Sequence, residues 1–524
     1  MSKLTDEMLS KLFPFPPRGK QLEIVRSIIN AYLHGKKHVV LSLPTGGGKS
    51  VIANAISNFF RTSYILTNQK ILQEQYNRDL HIPSILGRNN FICTKNNNLT
   101  CEMGMCKRIA SDYCKPNNKC PYLANRDIGI HSPITNMNYS YFLNASKFKL
   151  LDKRNLLVLD ESHVIETELL NAGTIRLTEK ILRGLGIYTI DLPGIEDTDL
   201  AKQNWLINIL YPLLREQYLY YKNQIQQYDK FKFSKDAKKV IGKYTAAERL
   251  VTIIKQIKDE LADKQKVIIA SGPDFIEFKV LYGYNLFNKF FANIADRFLH
   301  MSATILNKQQ YCRKIGLDLD DVEYLEYESE FPLENRLIHY MPVGSLSWKN
   351  KAGTIPNLIK KVEELLNLHG NEKGIIHTVN YELAEIISDG LYQTEAGSRL
   401  LIPRGSSKQS LLNTFYESKK PYVLISPSLT EGLDLKDDLS RFCIICKMPY
   451  ANISDKWTKI RMQLDQTWYS NFTAEQLVQM TGRSIRSKDD FATTYILDSD
   501  FMMFAQNSAY LLPDWWKAAV VEGM

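Results

Sequence analysis

No run of eighteen apolar residues occurs in this 524-residue chain, and its opening stretch, MSKLTDEMLSKLF, carries charges where an export signal would carry an apolar core. Neither a membrane span nor export is expected, because each needs a continuous apolar segment. The expected setting is therefore cytoplasmic and reducing, where clustered cysteines hold metal rather than pair as disulfides. Cysteine is scarce, with eight in all, yet five of them fall within residues 93–120, CTKNNNLTCEMGMCKRIASDYCKPNNKC. Those five lack any Cys-x-x-Cys pair, the short knuckle that usually supplies two ligands of a zinc ribbon. The stretch is also poor in apolar residues and rich in Asn and Lys, so without a metal it has too little to bury to fold. Charge of one sign is not in large excess. A net charge of +9 permits a polyanionic partner but does not by itself point to one.

At this length one hydrophobic core is not enough, and roughly three domains are expected, some of them built from discontinuous segments. Residues 38–60, HVVLSLPTGGGKSVIANAISNFF, read as an apolar strand, a glycine-rich turn and a helix with apolar residues at helical spacing. Such a turn is a phosphate cradle. Thr45, Gly46, Gly47 and Gly48 place backbone N–H groups around a β-phosphate, Lys49 reaches the β- and γ-phosphates, and the Ser50 hydroxyl can ligate Mg2+. The strict GxxxxGK[ST] pattern would have glycine at position 43, which here is Leu43. A second apolar strand, NLLVLDESH (155–163), ends in two carboxylates. Asp160 is placed to hold Mg2+ through water and Glu161 to orient or deprotonate the attacking water. Far downstream, QMTGRSIR (479–486) reads as helix, with Arg483 and Arg486 on one face as candidate arginine fingers and Gln479 one turn earlier. Two halves of an ATP site drawn from distant segments imply two lobes with nucleotide between them.

With these pieces in place the chain resembles the superfamily 2 helicases, and within them the XPD and DinG group of iron-sulfur DNA helicases. Arg18 and Gln21 in FPPRGKQ resemble the R-x-x-Q element placed near adenine. TNQKILQEQY (67–76) resembles motif Ia, with Thr67 and Gln69 as DNA contacts. Ser302-Ala303-Thr304 resembles motif III, and GIIHTVNY (374–381) resembles motif IV. SPSLTEGLDL (426–435) resembles motif V, with Gly432 and Asp434 toward ATP and Ser428 and Glu431 toward DNA. The resemblance implies an α/β fold of two RecA-like motor domains, parallel sheets flanked by helices, with an iron-sulfur insert and a small helical arch-like insert in the first motor. It further implies ATP and Mg2+ as ligands, movement 5′ to 3′ on single-stranded DNA, and action on forked duplex DNA by a monomer.

The resemblance also bears on the thiols. GRNNFIC ends at Cys93 and CPY opens at Cys120, as the group's cluster domain begins and ends. A 4Fe-4S cluster takes four thiolates. Cys93, Cys114 and Cys120 are the firm expectations; the fourth is Cys106, with Cys101 as its alternate, and structural zinc stays open as the alternative metal. The domains expected are a first motor from residues 1–87, 121–168 and 265–305, a cluster insert at 88–120, an arch-like insert at 169–264, and a second motor at 306–524. In that second motor GIIHT, YVLIS, FCIIC and TYILD read as strands alternating with helices. Asn138 and Tyr139 are candidate DNA contacts, although Tyr139 also suits a core. The lysine- and aromatic-rich run 229–244, with Phe231, Phe233 and Tyr244, is either a strand-tracking surface or the solvated end of a helical hairpin. Trp515 and Trp516 are expected to pack on the second motor, and Cys312, Cys443 and Cys446 to be structural.

Overall fold

A computed structural model describes residues 4–104, 120–147, 150–227, 235–264, 266–405, 408–427, 435, 437–482 and 489–522. Among these, two seven-stranded sheets carry the architecture. The first runs Val322–Glu326, His38–Ser42, Ala295–Ser302, Arg154–Asp160, Ser63–Thr67, Ile134–Asn138, Ser84–Ile85, every neighbour parallel. Its central strands are continuous apolar runs because helices cover both faces. Along Arg154–Asp160 the pleat sends Leu156 and Val158 to the side of the helices Gln21–Leu33 and Lys49–Phe60, and Leu157 and Leu159 to the opposite core.

The second sheet runs Leu400–Leu401, Val423–Ser426, Gly374–His377, Phe442–Ile445, Thr493–Asp498, Ile338–Gly344, Val520–Glu522, again parallel throughout. All four strands expected from the sequence lie in it. The helices Lys351–Leu368 and Tyr381–Gly390 cover one face, while Leu477, Phe501 and Trp516 cover the other.

The boundary expected between residues 305 and 306 shifts. The strand Val322–Glu326 pairs with His38–Ser42, so the first sheet extends to Glu326. VEYLE has polar residues at alternate positions, as an edge strand does, and only its pairing shows which sheet it joins. The inserted region also begins and ends with strand: Thr174–Thr178, Phe275–Val280 and Val267–Gly272 form a separate antiparallel sheet. Above it stands a helical hairpin of Tyr211–Gln227 and Lys235–Ala262, preceded by Asp199–Asn204 and Trp205–Leu210. Tyr244 is buried in this hairpin and donates to Glu248 Oε1 at 2.9 Å, so it is part of the packing rather than a DNA contact; Phe231 and Phe233 lie outside the described residues.

The two halves dock on each other through the segment 455–475. Trp457 donates through Nε1 to the Val280 carbonyl at 3.0 Å, and Trp457 and Trp468 join the first motor's core. Arg461, fully buried, donates to Glu166 Oε1 at 3.1 Å, and Lys314 Nζ donates to both Glu475 carboxylate oxygens at 3.0 and 2.9 Å. Burial pushes the Glu166 carboxyl up, and Arg461 opposes that shift.

Candidate nucleotide site between the two sheets

The glycine-rich turn follows the strand His38–Ser42 and opens the helix Lys49–Phe60, with Gly48 at the helix N-cap. Gly46 and Gly48 both have φ of 83°, a left-handed conformation that costs glycine nothing and other residues about 1–2 kcal/mol. Leu43 sits where the strict pattern has glycine and is buried under the loop. A Cβ on Gly47 would lie 2.7 Å from the Leu43 side chain, so the leucine makes the central glycine obligatory. The Gln21 amide lies against Gly48, and its Oε1 accepts from the Arg18 backbone N–H at 2.9 Å. The R-x-x-Q element therefore adjoins the phosphate turn.

Asp160 ends its strand buried beneath this turn. Its Oδ2 accepts from the Tyr76 hydroxyl at 2.8 Å and its Oδ1 from the Glu161 N–H at 3.0 Å. Burial and the neighbouring Glu161 push its carboxyl up to about 6, against the pull of Lys49 and the Tyr76 hydrogen bond. Glu161 itself has φ of 50°, a conformation that a non-glycine residue holds only when its surroundings impose it. The left-handed turn carries the chain from the strand into the short helix Ser162–Val164.

His163 joins three elements. Its Nδ1 lies 2.8 Å from Ser302 Oγ and 3.4 Å from Glu161 Oε2, and its Nε2 lies 3.2 Å from the Gln479 side-chain amide. Since the Gln479 Nε2 can only donate, His163 Nε2 is the acceptor and Nδ1 carries the proton. Ser302 Oγ then accepts from the Thr304 N–H at 3.0 Å. A continuous hydrogen-bond chain thus links Glu161, His163, motif III and a helix of the second half, Gln466–Thr481. One residue past that helix, a Cβ on Gly482 would lie 3.9 Å from Thr45 Oγ1, so the second half closes onto the phosphate turn. Arg483 and Arg486, which follow directly, lie outside the described residues, as do Ser428, Glu431, Gly432 and Asp434.

The cleft so formed has a volume of about 490 Å3. Thr45, Gly46, Gly48, Lys49, Ser50, Gln69, Asp160, Glu161 and Gln479 all line it. Sequence reasoning missed Tyr76, His163, Phe331, Arg336 and Trp515. Tyr76 lies in the motif Ia helix but points back at Asp160; His163 is the histidine of DESH. Arg336 donates to the Trp515 carbonyl at 2.5 Å, which brings the chain's C-terminal part to the cleft. Trp516 packs on the second sheet as expected and donates to Thr481 Oγ1 at 2.8 Å, whereas Trp515 faces the cleft.

Three expected DNA contacts are placed otherwise. Tyr139 is 1% exposed and donates to the Asp160 carbonyl at 2.9 Å, so it is core. Thr67 is fully buried and donates to the Gln69 carbonyl at 3.3 Å. Asn138 Oδ1 accepts from the Tyr141 N–H at 2.7 Å, which ties it to the helix that follows.

In the cysteine segment, Cys93, Cys101 and Cys120 share one small buried cluster with Leu99 and Tyr122. Cys101 Sγ lies 3.9 Å from Cys120 Sγ, and burial, then Cys120, pushes the Cys101 thiol up to about 12. Two thiols that cannot ionise side by side are a site that a cation would stabilise. Among the described residues, however, no three ligating side chains are gathered at metal-binding geometry, and Cys106 and Cys114 lie outside them. Cys312, Cys443 and Cys446 are each buried, as structural thiols are.

Residues 363–519 match the helicase C-terminal domain model, and residues 14–183 the model of the type III restriction enzyme res subunit. The ATP-dependent DNA helicase DinG of Photobacterium profundum is 27% identical over 235 residues, 41% of this chain and only 33% of that protein's length. A probable ATP-dependent helicase of Methanocaldococcus jannaschii is 22% identical, the match covering 94% of this chain and 93% of that one. Among solved structures, an XPD helicase superposes with a TM-score of 0.66 at 16% identity over 100% of both chains. S. tokodaii Xpd4 does so with a TM-score of 0.62 at 14% identity, covering 97% of this chain and 100% of that one. The two parallel sheets are thus RecA-like motor domains arranged as in XPD, and the chain belongs to the superfamily 2 helicases of the XPD and DinG type.

Proposed function

We propose that the protein is an ATP-dependent DNA helicase that moves 5′ to 3′ on single-stranded DNA as a monomer and separates forked duplexes. The observation that carries this reading is the hydrogen-bond chain from Glu161 through His163 to Gln479. It connects the hydrolytic carboxylate on one sheet to a helix of the other, so the state of the γ-phosphate bears on how the two motors sit. In this reading the phosphate turn and Lys49 bind the triphosphate, and Glu161 orients and accepts a proton from the attacking water. Arg483 and Arg486 complete the site, with Gly432 and Asp434 beside them. Ser50 and Asp160 would hold Mg2+, which supplies charge neutralisation at the β- and γ-oxygens. Ser428, Glu431 and Gln69 remain the proposed motor contacts to DNA. ATP hydrolysis measured with and without single-stranded DNA tests the reading: stimulation by DNA, lost in Lys49→Ala, supports it, and a rate indifferent to DNA contradicts it.

We further propose that the cysteine segment holds a 4Fe-4S cluster that fixes a small wedge where strands part. Its ligands would be Cys93, Cys120, Cys114 and one of Cys101 and Cys106; the burial of Cys101 beside Cys120 favours Cys101. Their 3.9 Å separation is also close to the edge, about 3.8 Å, of a sulfur tetrahedron at about 2.3 Å from one ion. Metal analysis after anaerobic purification separates the two: iron with a visible absorption band supports the cluster, and stoichiometric zinc without iron contradicts it.

A further inference from the structure

A second cavity, of about 510 Å3, opens on the helical hairpin, away from the nucleotide cleft. Its size falls in the range, about 300–1,000 Å3, of pockets that take small organic groups. Tyr188 and Tyr220 stand at its mouth, 73% and 54% exposed. Tyr221 is buried at its floor and held by a hydrogen bond from its hydroxyl to the Leu185 carbonyl at 2.8 Å. Gly186, at φ of 82°, turns the chain directly over that floor: a Cβ there would lie 3.1 Å from the Tyr221 hydroxyl. Lys239 and Lys243 line the opposite helix, one turn apart, with Lys243 Nζ 5.5 Å above the Tyr221 ring. Gln217 and Gln224 supply amides. Among the described residues no carboxylate lines the cavity, and neither lysine is ion-paired.

Two exposed tyrosine rings are costly to leave in water, and two lysines without acidic partners leave a positive field beside them. That pairing suits a ligand with flat π-faces and regularly spaced anions. We propose that this groove binds a segment of single-stranded DNA, its bases stacked on Tyr188 and Tyr220 and its phosphates on Lys239 and Lys243. The site is sequence-tolerant, because every base offers a π-face and the amides are mobile side chains. It also lies next to the cysteine segment: Met103 packs into the same hairpin cluster as Tyr221 and Ile225. A strand held in the groove would therefore be held beside the proposed wedge.

The inference rests on the reading of the chain as a DNA helicase, and its test keeps the two apart. The full-length protein is titrated against a fluorescent oligothymidine of about twenty nucleotides, long enough to span more than one contact region. Tyr188→Ala and Tyr220→Ala should each weaken binding about tenfold, and Tyr220→Phe, which keeps the ring, should bind as the parent does. Lys239→Ala should reduce the slope of log affinity against log salt by about 0.7. Both tyrosines are exposed, so thermal unfolding of the variants should match the parent. Photocrosslinking of an iodouridine oligomer to the parent protein should label a peptide that contains Tyr188 or Tyr220. If the parent binds the oligomer and DNA stimulates its ATPase, but the alanine variants bind equally well and crosslinks map elsewhere, the groove proposal is overturned and the helicase reading stands. A parent protein that binds no single strand at all overturns both.

Discussion

Glu161 and His163 are where hydrolysis and motion meet. Glu161 is held in a left-handed conformation at the end of a buried strand, and His163 passes its position on to Ser302 and Gln479. Glu161→Gln should therefore retain ATP binding while hydrolysis falls by about a hundredfold or more, the usual worth of a general base. Nucleotide affinity from a fluorescent analogue and phosphate release check the two halves of that statement; hydrolysis at the parent rate would remove Glu161 from its role. His163→Ala and Gln479→Ala should each lower DNA-stimulated hydrolysis several-fold, and the double variant should be no worse than either, because both cut the same link. The carboxylates and Lys49 were legible because each follows an apolar strand in a pattern that dictates its place. Tyr76 was not: its sequence neighbours put it in a motif Ia helix, and only the fold aims its hydroxyl at Asp160.

At the scale of elements, the phosphate turn shows how one departure from a pattern is accommodated. Leu43 occupies the space that the first glycine of the strict motif would leave open, so Gly47 cannot bear a side chain. Gly47→Ala should cost about 1–3 kcal/mol through overpacking and weaken ATP binding, and adding Leu43→Ala should recover part of the affinity. Thermal unfolding and nucleotide titration on the pair measure this. Two neighbouring strands of the first sheet also carry a buried histidine pair, His38 Nδ1 and His300 Nε2 at 3.1 Å, with His300 Nδ1 2.8 Å from the Tyr311 hydroxyl. Burial, reinforced by Lys37, pushes His38 down to about 3; burial and His38 push His300 well below its usual value. The unfolded chain, with ordinary histidines near 6.5, binds more protons than the folded one between those values, so stability falls as pH drops below about 6.5. Each histidine contributes up to about 1.4 kcal/mol per pH unit there. Melting temperatures from pH 7 to 5 should fall, and a His38→Gln, His300→Gln variant should lose most of that slope. The four strands of the second motor were legible as apolar runs, whereas Val322–Glu326 was not, because an edge strand buries one face only and VEYLE resembles a loop.

Across the whole molecule, the two motors meet on buried ion pairs as well as on the nucleotide. Lys314 and Glu475 are 6% and 9% exposed, so neither charge can be left alone without cost. Lys314→Ala should destabilise the protein by about 3–5 kcal/mol, and the paired change Lys314→Met, Glu475→Met should be close to neutral; denaturant midpoints distinguish the two. Domain order was legible from the succession of motifs. How firmly the segment 455–475 grips the first motor was not, because Trp457 and Arg461 find their partners about 180 and 295 residues away in the chain. The most direct measurement of the central claim is ATP-dependent unwinding of two forked duplexes that differ only in which strand bears the single-stranded tail. Unwinding of the 5′-tailed fork and not of the 3′-tailed one is the predicted result. Unwinding of the 3′-tailed fork alone, or of neither at saturating protein while DNA still stimulates hydrolysis, would contradict it.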